Sequence, residues 1–213
     1  MPLIPEANPV PDKPPLHLRG GYLVVAPPDD LTDALFSVPA VRALRRGRPN
    51  ATFAVVTPEG HRPVWERVPG IDHLIVYPDR ASVSRVVSCI REVGIDFESS
   101  IVWSETPAAA AFAKLGIQQR FGPADSKVSG WLTEPISYRV NPAPPGHVLR
   151  EYLWPLQPLG IETFVRANFR PPELPVRPDP PVIALAPDSP FGSSYQWPVE
   201  RFVEVAEILK RDH

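Results

Sequence analysis

Three aspartates stand where a short apolar run gives way to a helical pattern, a position suited to acid–base chemistry. Residues 22–26 (YLVVA) are apolar and rich in β-branched side chains, which is typical of a strand buried on both faces of a parallel sheet. Asp29 and Asp30 lie in the turn that follows, and Asp33 lies in the first turn of the predicted helix. Open α/β sheets bind ligands beyond the carboxyl ends of such strands. The spacing therefore makes Asp33 the first candidate for a catalytic residue.

A carboxylate at this point of a helix has two interpretations. The local amides and the helix dipole keep it ionised, which suits a base that removes a proton from a hydroxyl. Aspartate is also a common choice at helix N-termini for capping alone. Both interpretations of Asp33 stay open on the residues themselves, whereas Asp29 and Asp30 are interpreted as turn residues.

Composition excludes several classes of protein. The 213 residues carry a net charge of -2, which gives no electrostatic footprint for nucleic acid. The single cysteine, Cys89, excludes an intramolecular disulfide, and its apolar neighbours predict a core position. His61 and His73 are isolated and lack the spacing of a metal site. No apolar run approaches the roughly 20 residues that cross a bilayer, and we recognise no signal peptide, so we expect a protein of the reducing cytoplasm.

Strand and helix patterns alternate along the chain, which predicts an α/β fold with a parallel sheet. Strands are predicted at residues 22–26, 52–56, 71–77, 100–103, 119–122 and 182–186. Helices are predicted at residues 31–46, 61–68, 82–93, 108–115, 147–159 and 198–210.

Thirty-one prolines mark the domain boundaries. Residues 1–20 hold too many of them for a helix or a central strand and predict an extended or disordered arm. Residues 21–170 form one domain, in which 123–146 is predicted to be an irregular functional or mobile loop. The proline-dense segment 171–181 predicts a semi-rigid linker. Residues 182–213 then hold a single βα unit, which is too short to bury a core alone, so it is part of a larger domain or packs on the first domain or on a partner.

Four segments resemble glycosyltransferase family nine, the ADP-heptose:lipopolysaccharide heptosyltransferases. Residues 23–60 (LVVAPPDDLTDALFSVPAVRALRRGRPNATFAVVTPEG) resemble the family's first strand, R-L-G-D turn, first helix and second strand. Residues 71–79 (IDHLIVYPD) resemble its third strand, and residues 147–161 (HVLREYLWPLQPLGI) resemble its His-led helix. Residues 181–209 (PVIALAPDSPFGSSYQWPVERFVEVAEIL) resemble the start of its C-terminal domain, P-G-x-x-x-x-K-x-W-P-x-E-x-F.

The resemblance implies the GT-B architecture, in which two Rossmann-like domains face each other across a cleft without a metal ion. The chain would supply the N-terminal, acceptor-side domain and the first, truncated part of the nucleotide-sugar domain. Asp33 would be the base for inverting transfer of a heptose-like sugar from a nucleotide sugar, such as ADP-heptose, to lipopolysaccharide or a related glycan. The resemblance implies no further cofactor and a cytoplasmic enzyme, with a peripheral position at the inner membrane as an open alternative.

Loop residues near these motifs are the candidates for substrate binding. Side-chain donors in the loop before Trp197 could bind phosphate, although ordinary loop polarity explains its serines equally well. His147 is expected to cap a helix or lie on the surface rather than catalyse, and Trp197 and Phe202 are expected in the core. The substrate-binding candidates are Thr32, Glu105, Ser189, Ser193, Ser194, Tyr195 and Gln196.

Departures from the family pattern support a second hypothesis. Tyr195 stands where the family has lysine, Asp188 stands where it has glycine, and Thr32 replaces the glycine before the base. Asp30 aligns with the arginine of R-L-G-D, and the later D-x-G-x-x-H loop does not occur in the sequence. These changes favour a degenerate relative that acts as a binding or scaffold protein, whereas Asp33 and the intact framework favour the glycosyltransferase.

Overall fold

The computed structural model describes residues 16–124, 127–137, 147–171, 182–189 and 192–212. The chain divides into two compact units, one ending at Pro172 and the other beginning at Glu173. Within the described part of the chain, every helix is too short or too polar to span a bilayer. Among the same residues, no three His, Cys, Asp or Glu side chains are arranged to hold a metal ion.

The first unit is built on a parallel sheet of six strands in the order β3-β2-β1-β4-β5-β6. The chain runs outward from β1 to β3, returns to the other side of β1 at β4, and continues outward to β6. The point between β1 and β4 is therefore the topological switch point of the sheet. This architecture confirms the predicted α/β, Rossmann-like fold. The strands are β1 (Tyr22–Ala26), β2 (Thr52–Pro58), β3 (His73–Tyr77), β4 (Ser99–Val102), β5 (Gln119–Pro123) and β6 (Glu134–Ile136).

In the described part of the first unit, five α-helices connect or follow these strands, and three of them begin at a side-chain cap. Ser82 and Thr106 cap α3 and α4 through hydrogen bonds to the amides of Arg85 and Ala109. The helix predicted over 147–159 is α-helical only at its start and becomes a 3₁₀ helix where two prolines remove amide donors. The helices are α1 (Leu31–Gly47), α2 (Arg62–Trp65), α3 (Val83–Glu92), α4 (Pro107–Lys114) and α5 (Leu149–Leu153).

Both faces of the sheet are buried, as the apolar strand pattern predicts. Successive residues of β1 enter two different cores: Leu23 and Val25 pack with α1 and α5, whereas Val24 packs with α3 and α4. This alternation is the two-residue period of a strand. Cys89 is buried in the second core, which confirms its predicted position.

One local prediction for the first unit is wrong. The described residues of the segment 123–146 include a 3₁₀ helix, Lys127–Trp131, and the edge strand β6, which pairs in parallel with β5. A three-residue strand containing proline carries no readable pattern, and its register comes from its neighbour. In α1, Leu35 is 51% exposed, because the helix buries Ala34, Val41 and Leu44.

The proline-rich arm is described only from residue 16 onward. The Leu16 amide donates to the Pro158 carbonyl at 2.6 Å, and Leu18 is 4% exposed within the core. The end of the arm is thus packed against the first unit, while the predictions for residues 1–15 lie outside the described part.

In the second unit, the predicted strand 182–186 is not formed: residues 182–189 have neither strand nor helix structure. A parallel strand requires a partner with which to exchange hydrogen bonds, and a single apolar run does not supply one. The following helix, α6 (Val199–Asp212), is present as predicted. Trp197 contacts Phe202 edge to face at 5.2 Å but remains 51% exposed, so its predicted core position is wrong.

Candidate functional site

The site begins at the N-terminus of α1, where two aspartates have different tasks. Asp30 is the N-cap: its Oδ1 accepts hydrogen bonds from the amides of Thr32 at 2.9 Å and Asp33 at 3.2 Å. The capping function is therefore performed by Asp30. This leaves the side chain of Asp33, three positions further along, available for another contact.

The Asp33 carboxylate lies beside Tyr152 of α5. Tyr152 is only 8% exposed, and its carbonyl accepts a hydrogen bond of 2.9 Å from the indole Nε1 of Trp103, just after β4. Burial, and next the neighbouring Asp33 carboxylate, raise the pKa of Tyr152 above its usual value. The phenol therefore stays protonated beside Asp33.

A cavity of about 90 Å³ opens beside this pair at the switch point between β1 and β4. The cavity can therefore admit at least one polar group of a larger ligand. The lining residues are Pro28, Asp33, Trp103, Ser104, Pro123, Glu151, Tyr152 and Pro155.

The lining brings chemically useful groups together. Asp33 supplies a half-buried carboxylate, Tyr152 supplies a phenol, and Ser104 is partly exposed after β4. A hydroxyl that enters the cavity can give its proton to the Asp33 carboxylate. This arrangement suits general base catalysis at a hydroxyl.

Sequence reasoning missed Tyr152 and Glu151 as site residues. Tyr152 stands on the buried side of a short helix beside Leu153, where an apolar side chain would be the ordinary choice. A tyrosine hydroxyl in a core usually has a polar partner, and this signal could have indicated a site contact. The identity of that partner was not readable, because it lies far away in the chain.

The other predicted site residues are distributed differently. Thr32 is exposed on the first turn of α1, next to Asp33, and its amide is held by the cap. Glu105 is exposed and pairs with Lys127 at 3.7 Å, and it does not line the cavity. The remaining candidates belong to the second unit, where the 3₁₀ helix Ser193–Tyr195 follows Gly192 at φ +92°. These candidates are Ser189, Ser193, Ser194, Tyr195 and Gln196.

His147 lies on the surface near the start of α5, as the sequence predicts. Its Nδ1 accepts a hydrogen bond from the Leu149 amide at 3.2 Å, and its ring contacts Phe36 edge to face with centroids 5.6 Å apart. The side chain thus stabilises the start of α5 on α1 and does not line the cavity beside Asp33.

A larger groove of about 540 Å³ lies elsewhere on the first unit, bordered by α1, α2 and the 3₁₀ helix Arg166–Phe169. Its lining is largely apolar and includes Leu35 and Val38. Arg42 borders it but donates to backbone carbonyls of the 3₁₀ segment. None of the predicted site residues lines this groove, so its size does not make it the reaction site.

The chain matches no protein-family model, and no curated protein matches it either. Among solved structures it is similar to the family 9 glycosyl transferase of Veillonella parvula, with a TM-score of 0.60 and 21% identity over 71% of this chain and 44% of that one. E. coli ADP-heptose lps heptosyltransferase II gives a TM-score of 0.58 and 17% identity over 90% of this chain and 62% of that one. E. coli heptosyltransferase WaaC with ADP gives a TM-score of 0.51 and 17% identity over 67% of this chain and 48% of that one.

This chain spans less than two thirds of the length of each of these three proteins. At identities of 17–21%, the likeness concerns the fold alone. The resemblance found in the sequence is nevertheless confirmed at that level: the chain shares its fold with glycosyltransferase family nine and with ADP-heptose heptosyltransferases.

Proposed function

We propose that this chain is the acceptor-side part of a glycosyltransferase in which Asp33 is the general base. One observation carries the proposal: the Asp33 carboxylate lines the cavity at the switch point beside the buried Tyr152, while Asp30 performs the capping. A carboxylate used only to start the helix would not need to line a cavity. The transfer is inverting, because a base on the acceptor side removes the proton while the nucleoside diphosphate leaves from the opposite face.

The substrates that we propose are supported by the names of proteins that share the fold. The donor is a nucleotide sugar such as ADP-heptose, and the acceptor is a lipopolysaccharide or related glycan that presents one hydroxyl to the cavity. Its small volume supports this role, because only the reacting hydroxyl and its immediate substituents need to enter. The enzyme works in the cytoplasm, where nucleotide sugars are made, or at the inner surface of the membrane.

We further propose that successive parts of the chain have different roles. Residues 21–170 hold the acceptor, 171–181 link the two parts, and 182–213 begin the nucleotide-sugar domain. The polar side chains of the loop before Trp197 then face the donor phosphates. The 213-residue chain is not expected to turn over by itself, since it spans 44–62% of the chains that share its fold.

The binding or scaffold hypothesis is favoured by two specific residues. Asp188 would repel a diphosphate, and Tyr195 supplies no cation where the family pattern has lysine. A chain that had lost donor binding could keep the sheet and use its surface for a partner. Calorimetric titration of ADP and ADP-heptose against this chain and a longer product of the same gene separates the two hypotheses, because the scaffold binds neither ligand in either form.

The catalytic role is tested by a pair of isosteric changes in the active form. Asp33→Asn removes the base and is expected to lower kcat about 10²- to 10⁴-fold. Asp30→Asn is the matched control, because asparagine caps a helix as well as aspartate and should change kcat only slightly. Full activity in Asp33→Asn, measured as transfer of labelled heptose to the acceptor, would refute the assignment.

A further inference from the structure

A second tyrosine–aspartate pair lies at the same edge of the sheet and is not explained by the cavity. The hydroxyl of Tyr77, at the end of β3, donates to Oδ1 of Asp29, which follows β1, at 2.7 Å. Because β2 lies between β3 and β1, this bond reaches across an intervening strand. Neighbouring strands are about 4.8 Å apart, so only a long side chain can make such a connection.

The Tyr77 end of this bond is rigid. Tyr77 is 2% exposed and belongs to the core that also contains Ile75 and Val86. Burial, and then the nearby charge of Asp29, raise the pKa of the phenol, so it remains a donor at any ordinary pH. The bond therefore holds Asp29 to a fixed point of the core.

The end of β2 contributes a third group. His61 is 8% exposed and follows β2 in the 3₁₀ helix Glu59–His61. Its Nδ1 is buried and has no hydrogen-bond partner among the described residues. Asp79, which follows β3, accepts a hydrogen bond from the Gly60 amide at 3.2 Å. The Asp29 carboxyl is hydrogen-bonded to Tyr77 and is influenced by the charges of His61 and Asp79, which follow the ends of two neighbouring strands.

The same carboxyl group titrates away from its usual range. Burial of the carboxyl has the largest influence and raises the pKa of Asp29, although part of the residue is exposed. The hydrogen bond from Tyr77 and the charge of His61 lower this pKa, and the charge of Asp79 raises it. Loss of the Tyr77 hydroxyl would remove the largest influence that favours the ionised form. The pKa of Asp29 would then rise further.

Asp29 is placed where it can control the start of α1. It directly precedes Asp30, the cap that binds the amides of Thr32 and Asp33. The preceding Pro27 and Pro28 are buried and have fixed φ angles, so the short loop has little remaining freedom once Asp29 is held. A displacement of Asp29 would be transmitted to Asp30 and then to the first turn of the helix.

We propose that Tyr77 and Asp29 are positioning residues for Asp33: their hydrogen bond fixes the β1–α1 loop and thereby the direction of the Asp33 side chain, and His61 lies beside them. The catalytic meaning of this pair rests on the proposed function, whereas the positioning itself does not. Tyr152 lies beside the Asp33 carboxylate in the cavity lining, and Tyr77 anchors the β1–α1 loop from β3.

The positioning is tested by NMR on the full chain. Tyr77→Phe removes only the hydroxyl and is expected to shift the amide resonances of Thr32 and Asp33 and to raise the pH at which Asp29 titrates. Asp29→Asn keeps an oxygen acceptor for Tyr77, so it should leave these two amide resonances close to wild type while abolishing the titration. Tyr22→Phe is the matched control, since Tyr22 is 46% exposed at the other end of β1.

Amide resonances of Thr32 and Asp33 that overlay with wild type in Tyr77→Phe would overturn the proposal. In an active, longer form, Tyr77→Phe should lower kcat roughly ten- to hundredfold with KM nearly unchanged, and the control Tyr22→Phe should keep the wild-type kcat. If Tyr77→Phe shifts the amide resonances but leaves kcat unchanged, the catalytic role of the Tyr77–Asp29 pair is refuted. A wild-type form that transfers no sugar would instead refute the proposed function, and the NMR result would still decide the positioning.

Discussion

Two similar apolar runs of this protein adopt different structures. Residues 22–26 (YLVVA) become β1, in which Val24 and Val25 are 0% exposed. Residues 182–186 (VIALA) form no strand, and Val182 and Ile183 are 77% and 53% exposed. Both runs are short, apolar and followed by a loop and a helix. Their amino acids therefore do not explain the difference.

The neighbours of each run do explain it. β1 is paired in parallel with β2 on one side and β4 on the other, so its backbone groups are satisfied and both of its faces are covered by helices. Residues 182–189 belong to the second unit, in whose described part α6 is the one α-helix, and its Val203 and Ile208 are about half exposed. An apolar run thus becomes a strand only where other strands and covering helices remove it from water.

The comparison predicts its largest difference in the free energy of unfolding when the same substitution is made in both units. Ile101→Ala in β4, where the side chain is 1% exposed, should lower the free energy of unfolding by about 2–5 kcal/mol. Ile183→Ala removes the same atoms from an exposed position and should cost less than about 0.5 kcal/mol. Urea unfolding of the two variants measures both values, and equal losses would show that residues 182–186 are buried in solution.

A smaller effect is expected where α1 begins. Asp30→Ala removes the side chain that caps α1 and should lower the free energy of unfolding by about 1 kcal/mol. Asp30→Asn preserves the cap and should cost only a few tenths of a kcal/mol by the same reasoning. If the two units unfold independently, Asp30→Ala should destabilise only the first unit. Thermal unfolding followed at β1 and at α6 by site-resolved NMR would detect a response of α6 that contradicts this independence.

The smallest effect concerns pH. The pKa of Asp29 is raised from 3.8 in the folded first unit, so the unfolded chain loses this proton first as pH increases. The contribution of Asp29 to stability is therefore fully present below pH 3.8 and decreases as pH rises through the raised pKa. Asp29→Asn should remove this decrease, roughly a few tenths of a kcal/mol after solvent screening. Identical pH profiles of wild type and variant in urea unfolding would contradict the assignment.

Most of the first unit was predictable because its signals are local. Five of its strands and the start of α1 follow from apolar runs, proline-containing turns and helical spacing. β6 was missed because it is a three-residue edge strand with a proline at its centre, and its only definition is the register with β5. The position of Asp33 was predicted, but the surrounding cavity was not, since its walls come from four separate parts of the chain.

By itself, then, the sequence determined the elements and the place of the candidate base, because capping, turn chemistry and periodicity act between residues that are close in the chain. Tertiary structure alone decided which apolar run became a strand and which side chains lie beside the aspartates. Tyr77 reaches Asp29 across 48 positions, and Tyr152 lies beside Asp33 in the cavity although it belongs to a different helix. No periodicity encodes such contacts, since they exist only after the sheet has brought its strand ends together.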